Sequence, residues 1–184
     1  MINKIGLALI TMFGIGRIKN MPGTFASLAT CVFYYFLLLL EVNFFIFIPI
    51  FSVLLIISIF YIFNLSHHFK EKDPKEIVID EVCGQSIPLI ALIILTNTPE
   101  SMSEHGISIW AAERLTIDIE NYIIISFLLF RFFDIFKPFP IKYFDQKYKN
   151  SFGVLFDDLL AGIFTTVLIS IPLISNPSLV APST

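Results

Sequence analysis

The sequence predicts an all-α fold, an integral membrane helical bundle of about five membrane-associated or spanning helices. The first observation is composition: 56% of the residues are hydrophobic and only 15% are charged. Soluble domains typically have about 45–50% apolar and about 25% charged residues. The second observation is pattern, because long apolar runs alternate along the chain with short polar segments that carry most of the charges.

The apolar runs define the candidate spans. Residues 44–65 form a run of 22 residues without a formal charge. At about 1.5 Å of rise per residue, a helix of this length crosses a hydrocarbon core of about 30 Å. We therefore expect one full span there. Four shorter runs are further candidates if their polar ends reach the headgroups: 27–40, 82–95, 122–130 and 159–174.

The positions of the cations predict the orientation. If 1–26, 66–81 and 131–158 lie on one side of the membrane, that side holds 11 of the 12 Lys and Arg residues, and only Arg114 is opposite. Positive residues favour the cytoplasmic side. We expect five spans with this basic side in the cytoplasm and with the functional residues on the same face.

The domain organisation is simple. We expect a single domain over residues 1–175 and a disordered tail at 176–184, where Pro177 and Pro182 interrupt the pattern. The first 15 residues resemble a signal peptide, but Arg17 and Lys19 favour a retained cytoplasmic or interfacial helix. Residues 96–121 have the composition of a loop on the outer side.

The most highly charged stretch is 130–161. Arg131, Asp134 and Lys137 are spaced i, i+3 and i+6, so a helix would place them on one face until Pro138 ends it. Asp145 adds a further carboxylate beyond the prolines. We predict that these four residues contribute to a site that binds and transforms an anionic substrate.

Two pairs of adjacent acids stand at the ends of apolar runs. Asp80 and Glu81 precede the run 82–95, and Asp157 and Asp158 precede 159–174, after a glycine-containing bend where we expect a helix to begin. Capping and solvation would explain either pair alone. Together on one membrane face, they favour a metal site, and an all-oxygen ligand set suits Mg²⁺ better than Zn²⁺.

A glycine-rich segment precedes the first candidate span. It contains Gly23, Thr24 and Ser27 just before or within the expected start of a helix, where backbone N–H groups and hydroxyls can bind an anion. An ordinary turn is the alternative interpretation. We predict that these three residues, with Arg131 and Lys137, bind the anionic part of a substrate.

Several classes of function are excluded or disfavoured. A cysteine phosphatase needs an arginine six positions after its thiolate, but Leu37 and Leu89 stand six positions after Cys31 and Cys83. We expect both thiols to be buried and free. No D-x-D motif is present, and a net charge of −3 argues against nucleic acid as a partner.

Phosphoryl transfer fits the remaining set of residues, since a metal polarises phosphate and arginine contacts two phosphate oxygens. The alternative from another class is a non-catalytic membrane carrier of cations or solutes that uses the same carboxylates.

Four sequence blocks carry a resemblance to a known family. They are PGTFAS at 22–27, IVIDEVCG at 77–84, FRFFDIFKPFPIKYFD at 130–145 and FGVLFDDLLAG at 152–162. In this order they resemble the phosphatidylglycerophosphatase A family. The resemblance implies a Mg²⁺-dependent enzyme that converts phosphatidylglycerophosphate to phosphatidylglycerol. It also implies a helical-bundle fold in the bacterial inner membrane, in contact with membrane lipids and with a cytoplasmic active site.

Overall fold

The computed structural model describes residues 4–40, 42, 46–65, 76–96, 119–147 and 151–175. Over these ranges the regular secondary structure is all helical and contains no strand, as predicted from the sequence. A short 3-10 segment, Met12–Arg17, separates the first two α-helices. The described ranges contain seven α-helices, which are α1 Lys4–Ile10, α2 Pro22–Leu39, α3 Phe47–Leu65, α4 Ile79–Thr96, α5 Ile119–Phe136, α6 Ile141–Lys147 and α7 Ser151–Ser175.

Local sequence signals mark several of the helix ends. Proline occupies the first position of α2, where its missing N–H costs nothing. Asp80 and Glu81 lie in the first turn of α4, where negative charge is favourable. Helix α5 ends just before Lys137-Pro138, since the residue before a proline is disfavoured in the helical conformation. These ends bring polar groups to one end of the bundle.

Helix α4 is the centre of the bundle. It packs against α2, α3 and α5, and most extensively against α7. Its buried face includes Val82, Cys83, Leu89 and Ile93, each no more than 5% exposed. Both cysteines are free and buried, which confirms that expectation. The first turn of α4 lies beside the start of α2, the end of α5 and the second turn of α7.

The five predicted spans all correspond to helices, and the number that crosses a membrane stays a prediction. Within the described residues, α2 is long and apolar enough to cross a membrane, and the apolar part of α3 is the shorter stretch Ile48–Ile62. Helix α3, Phe47–Leu65, covers most of the predicted span 44–65, and the placement of these helices in a membrane stays a prediction.

One sequence-based expectation about α7 was wrong. Asp157 and Asp158 were expected at the N-terminus of a helix, after a bend. The helix instead begins at Ser151 and runs through Gly153, so the two acids lie about two turns inside it. The free N–H groups of that helix end therefore do not stabilise them, and another source of positive charge must do so.

Several predictions concern residues outside the described ranges. These are the proposed tail 176–184 and most of the predicted outer loop 96–121.

Candidate active site

A cavity of about 230 Å³ lies where four segments of the bundle meet. The start of α2, the start of α4, the end of α5 and the second turn of α7 each contribute side chains. The lining residues are Met21, Pro22, Gly23, Ile77, Asp80, Glu81, Arg131, Asp134, Lys137, Asp157 and Asp158. Five carboxylates and two cations thus face one small space.

Three of these carboxylates form a compact group. One oxygen from each of Asp80, Glu81 and Asp158 lies within 4.8 Å of the others. Asp80 and Asp158 are 4% and 5% exposed, and Glu81 Oε2 is buried without a hydrogen-bond partner among the described residues. Like charges so close together, out of water, repel strongly unless a cation lies between them. The oxygen-only set and the partnerless Glu81 oxygen fit a hard divalent cation such as Mg²⁺.

The pKa values of two of these acids are raised by burial and by the same close approach of like charges. Burial raises the pKa of Asp158 well above its ordinary value, and the nearby carboxylates of Asp134, Asp80 and Glu81 raise it further. Burial also raises the pKa of Glu81. The protein therefore holds these groups where an ionised carboxylate is costly without a bound cation.

Arg131 and Asp134 form an ion pair on α5. Arg131 Nη1 and Asp134 Oδ2 are 2.6 Å apart, and the side chains are only 15% and 14% exposed. Their i, i+3 spacing places them on one face of the helix, as predicted. Asp134 fixes the direction of the guanidinium, so Arg131 is held in the cavity wall with most of its solvent removed.

Lys137 reaches the same cavity from beyond the end of α5. Its backbone is left-handed, with φ 42°, and its N–H donates to the carbonyl of Phe133 at 2.9 Å. Its ammonium donates to Asp145 at 3.0 Å and to Asp157. Burial disfavours the charged ammonium, but the two paired carboxylates outweigh it and raise the pKa of Lys137. Lys137 is therefore a permanently charged part of the site.

Comparison with known proteins decides the family. The family profile described as phosphatidylglycerophosphatase A matches residues 8–172. The chain belongs to the phosphatidylglycerophosphatase A family. It is accordingly an enzyme, a phosphatase.

Curated relatives support this membership. A phosphatidylglycerophosphatase A of Haemophilus influenzae is 35% identical over 92% of this chain and 88% of its own length. Another, from Escherichia coli K12, is 28% identical over 83% of this chain and 74% of its own length. A Bacteroides thetaiotaomicron protein named as a candidate phosphatidylinositol-3-phosphatase is 33% identical over 54% of this chain and 49% of its own length. No solved structure is significantly similar.

Most of the site residues that were predicted from the sequence of this phosphatidylglycerophosphatase A family member meet in the cavity. Asp80, Glu81, Asp158, Arg131, Asp134, Lys137 and Gly23 all line it. Asp157 also lines it, but it pairs with Lys137 and lies outside the compact group of three acids. Asp145 is not part of the lining; its side chain is 44% exposed and contacts Lys137 from outside.

The two predicted hydroxyl ligands are placed differently. Ser27 is fully buried and its Oγ donates to the carbonyl of Gly23 at 3.0 Å within α2. Thr24 Oγ1 is buried without a partner among the described residues. Neither residue lines the cavity, although the start of α2 does. Their assignment as substrate ligands stays a prediction.

Two glycines of this phosphatase family member set the separation of α4 and α7. A Cβ on Gly84 would lie 2.5 Å from the carbonyl oxygen of Asp158, and a Cβ on Gly162 would overlap the carbonyl oxygen of Gly84. Without side chains at these positions the helices approach closely, which brings Asp158 to Asp80 and Glu81. Sequence reasoning assigned these glycines no role. The available signal was their spacing, since each follows an acid pair by three to five residues.

A third glycine, Gly23, allows the first turn of α2 to pack closely against the site. A Cβ on Gly23 would overlap the carboxylate of Glu81. The first turn of α2 therefore lies directly against a member of the acidic group, and its N-terminal dipole faces the cavity.

Exposed apolar side chains occur in the cavity lining and next to it in sequence. Met21, in the lining, is 62% exposed. Phe136 and Phe139, which flank Lys137 in sequence, are 69% and 83% exposed. Large exposed apolar groups beside a charged cavity are typical of a site that receives an amphiphile.

Proposed function

We propose that this chain hydrolyses phosphatidylglycerophosphate to phosphatidylglycerol and inorganic phosphate in phospholipid biosynthesis, with Mg²⁺ as cofactor. One observation carries the proposal: a small cavity holds three convergent carboxylates together with Arg131 and Lys137. Acids alone would bind only a metal, and cations alone would bind only an anion. The two sets together suit a metal-dependent reaction on a phosphate group. The family supports the choice of substrate, because two relatives carry the name of this activity.

The proposed metal ligands are Asp80, Glu81 and Asp158, with Asp157 next to them. When bound there, a divalent cation supplies Lewis-acid polarisation of a phosphoryl oxygen and lowers the pKa of water.

The residues of the chain then bind and orient the phosphate. Arg131 is paired with Asp134, and its Nε is buried without a hydrogen-bond partner among the described residues, so its guanidinium can donate to phosphate oxygens. Lys137 has two of its three ammonium protons directed to Asp145 and Asp157, which leaves one donor for the substrate. The N-terminus of α2 at Pro22 and Gly23 adds a favourable dipole for the anion.

The reaction also requires two proton movements. Water forms a bond to phosphorus and must lose a proton, while the P–O bond to glycerol breaks and the leaving oxygen must gain one. Among the proposed catalytic acids, Asp134 lines the cavity and Asp145 does not. We therefore assign to Asp134 the removal of the proton from the attacking water, with the leaving oxygen taking its proton from solvent, and we assign Asp145 the positioning of Lys137.

We further propose a multi-pass placement in a bacterial inner membrane with a cytoplasmic active site. Helix α2 is a candidate span. Outward-facing side chains of the long helices are apolar, including Val32, Ile56, Leu128 and Val167, each more than half exposed. The partition of 11 of 12 cations to one side supports the orientation. The acids then lie where the membrane segments of α4 and α7 begin.

The test is phosphate release from phosphatidylglycerophosphate in mixed micelles by the purified full chain. We expect release that needs Mg²⁺ and stops with a chelator. Phosphatidic acid and phosphatidylinositol 3-phosphate serve as competing substrates, the second because of the Bacteroides relative. Faster hydrolysis of either would overturn the proposed substrate. Cation uptake into proteoliposomes without any phosphate release would favour the carrier alternative, which family membership does not support.

A further inference from the structure

Asp157 and Asp158 are adjacent in sequence but serve different partners. Neighbouring residues of a helix point about 100° apart. Asp158 joins Asp80 and Glu81, whereas Asp157 Oδ2 accepts a hydrogen bond from Lys137. The four acids that were predicted as metal ligands therefore divide into a group of three and a single carboxylate, Asp157, which is already paired with a cation.

Lys137 is held firmly on Asp157. Its position just after α5 is fixed by the backbone hydrogen bond to Phe133, and Asp145 of α6 holds the ammonium from the other side. The Lys137 side chain is 26% exposed and that of Asp157 is 4% exposed. An ammonium anchored by two carboxylates and a helix end is a fixed charge, unlike a lysine that moves freely in solvent.

Asp157 also keeps an unused acceptor. Its Oδ1 is buried without a hydrogen-bond partner among the described residues, and the residue is 3% exposed and lines the cavity. A buried carboxylate oxygen in this state would readily accept a cation. In two-metal phosphatase sites, the second cation lies about 3.5–4 Å from the first. Here the place beside Asp157 contains the ammonium of Lys137.

We propose that Lys137 is a built-in second cation: the chain binds one divalent metal ion at Asp80, Glu81 and Asp158, and its own ammonium takes the place on Asp157 that a second metal would fill. The inference rests on the proposed function. It explains why Asp157 is paired with the ammonium of Lys137 and not with solvent. It also gives Lys137 two tasks, which are to neutralise Asp157 and to present one remaining proton to the phosphate.

The experiment counts metal ions without measuring catalysis. Mn²⁺ replaces Mg²⁺, and electron paramagnetic resonance follows its binding to the full chain in detergent. We expect one Mn²⁺ per wild-type chain. Lys137→Met should bind two, with the magnetic coupling of a close pair, and Lys137→Arg should still bind one. Two ions on the wild type, or one ion on a folded Lys137→Met chain, would overturn the proposal.

A second pair of variants makes the test independent of how well Lys137→Met folds. Asp158→Asn should weaken Mn²⁺ binding by about tenfold or more, whereas Asp157→Asn should change it only a few-fold. The two changes are chemically identical and one residue apart, so each controls for the other. Equal losses of affinity would overturn the division of the acids. Hydrolysis of phosphatidylglycerophosphate by the wild type, measured separately, decides the proposed function whatever the metal count.

Discussion

Gly162 of α7 packs on the backbone of Gly84 of α4, so closely that a Cβ on Gly162 would overlap the carbonyl oxygen of Gly84. This contact lies within about one turn of Asp80, Glu81 and Asp158. The backbone separation of two helices thus sets the separation of the candidate metal ligands.

The first prediction tests that relationship. Gly84→Ala should destabilise the protein by about 1–3 kcal/mol, because the new methyl group meets the backbone carbonyl of Asp158 and α7 must move away. The displacement should also weaken Mn²⁺ binding. Chemical unfolding in detergent and Mn²⁺ titration measure the two effects. Ile163→Ala, an exposed change on α7, is the control; an equal loss of Mn²⁺ affinity in both variants would argue against the close approach as the cause.

The second prediction concerns the metal ligands. Asp80→Asn and Asp158→Asn should each lower turnover of phosphatidylglycerophosphate by roughly 10² or more, on the scale expected for lost metal-ion catalysis. The measurement is Mg²⁺-dependent phosphate release at matched protein levels. Glu76→Gln removes an exposed acid nearby and should have little effect. Near-normal rates and Mg²⁺ dependence in both Asn variants would show that these carboxylates are structural.

The third prediction concerns the guanidinium. Arg131→Lys keeps the charge but loses the fork that contacts two oxygens, so kcat/KM should fall by about 10- to 100-fold. Steady-state kinetics in mixed micelles measure the effect. Lys142→Arg, at an exposed position on α6, is the matched control. If Arg131→Lys retained full kcat/KM, the assigned bidentate contact would be wrong.

The fourth prediction concerns the thiols. Cys31 and Cys83 are 2% and 0% exposed and neither lines the cavity, so replacing both by Ala should leave activity within several-fold. The Sγ of Cys83 lies 3.2 Å from the Oγ of Ser58, and some stability should be lost with it. Phosphate release and thermal unfolding measure the two effects. Complete inactivity of a folded double variant would mean that a thiol takes part in the reaction.

The fifth prediction concerns topology and uses the same Cys-free chain. A cysteine at Gln146 on α6 should react with a membrane-impermeant reagent only from the cytoplasm, and one at His105 only from outside. Labelling in right-side-out and inside-out vesicles provides the measurement. Reaction of both from the same side would contradict the proposed five-span orientation.

Much of this site could be predicted from the sequence because charge is scarce in the chain. In an apolar bundle, each ionisable residue is costly to bury, so acids and cations that recur at helix ends point to one another. That argument brought Asp80, Glu81, Asp158, Arg131 and Lys137 to the same face. It could not separate Asp157 from Asp158, since the difference depends on which way each side chain leaves the helix.

The errors also have physical causes. Gly153 was interpreted as a bend, but packing against the other helices extends α7 through it, which moved the acids away from the helix end. The predicted common face of Arg131, Asp134 and Lys137 was right only for the first two. Lys137 instead leaves the helix in a left-handed conformation and points back to the cavity. The roles of Gly84 and Gly162 depend on a contact between distant parts of the chain, which local patterns do not contain.

The exposed Phe136 and Phe139 beside Lys137 have a consequence for how such an enzyme is measured. With the cavity mouth at the lipid surface, as proposed, the substrate arrives by lateral diffusion within one leaflet and its acyl chains never enter water. The concentration that governs turnover is then the mole fraction of phosphatidylglycerophosphate in the surface. Dilution with inert detergent at a constant bulk substrate concentration should slow the reaction, and added buffer volume alone should not.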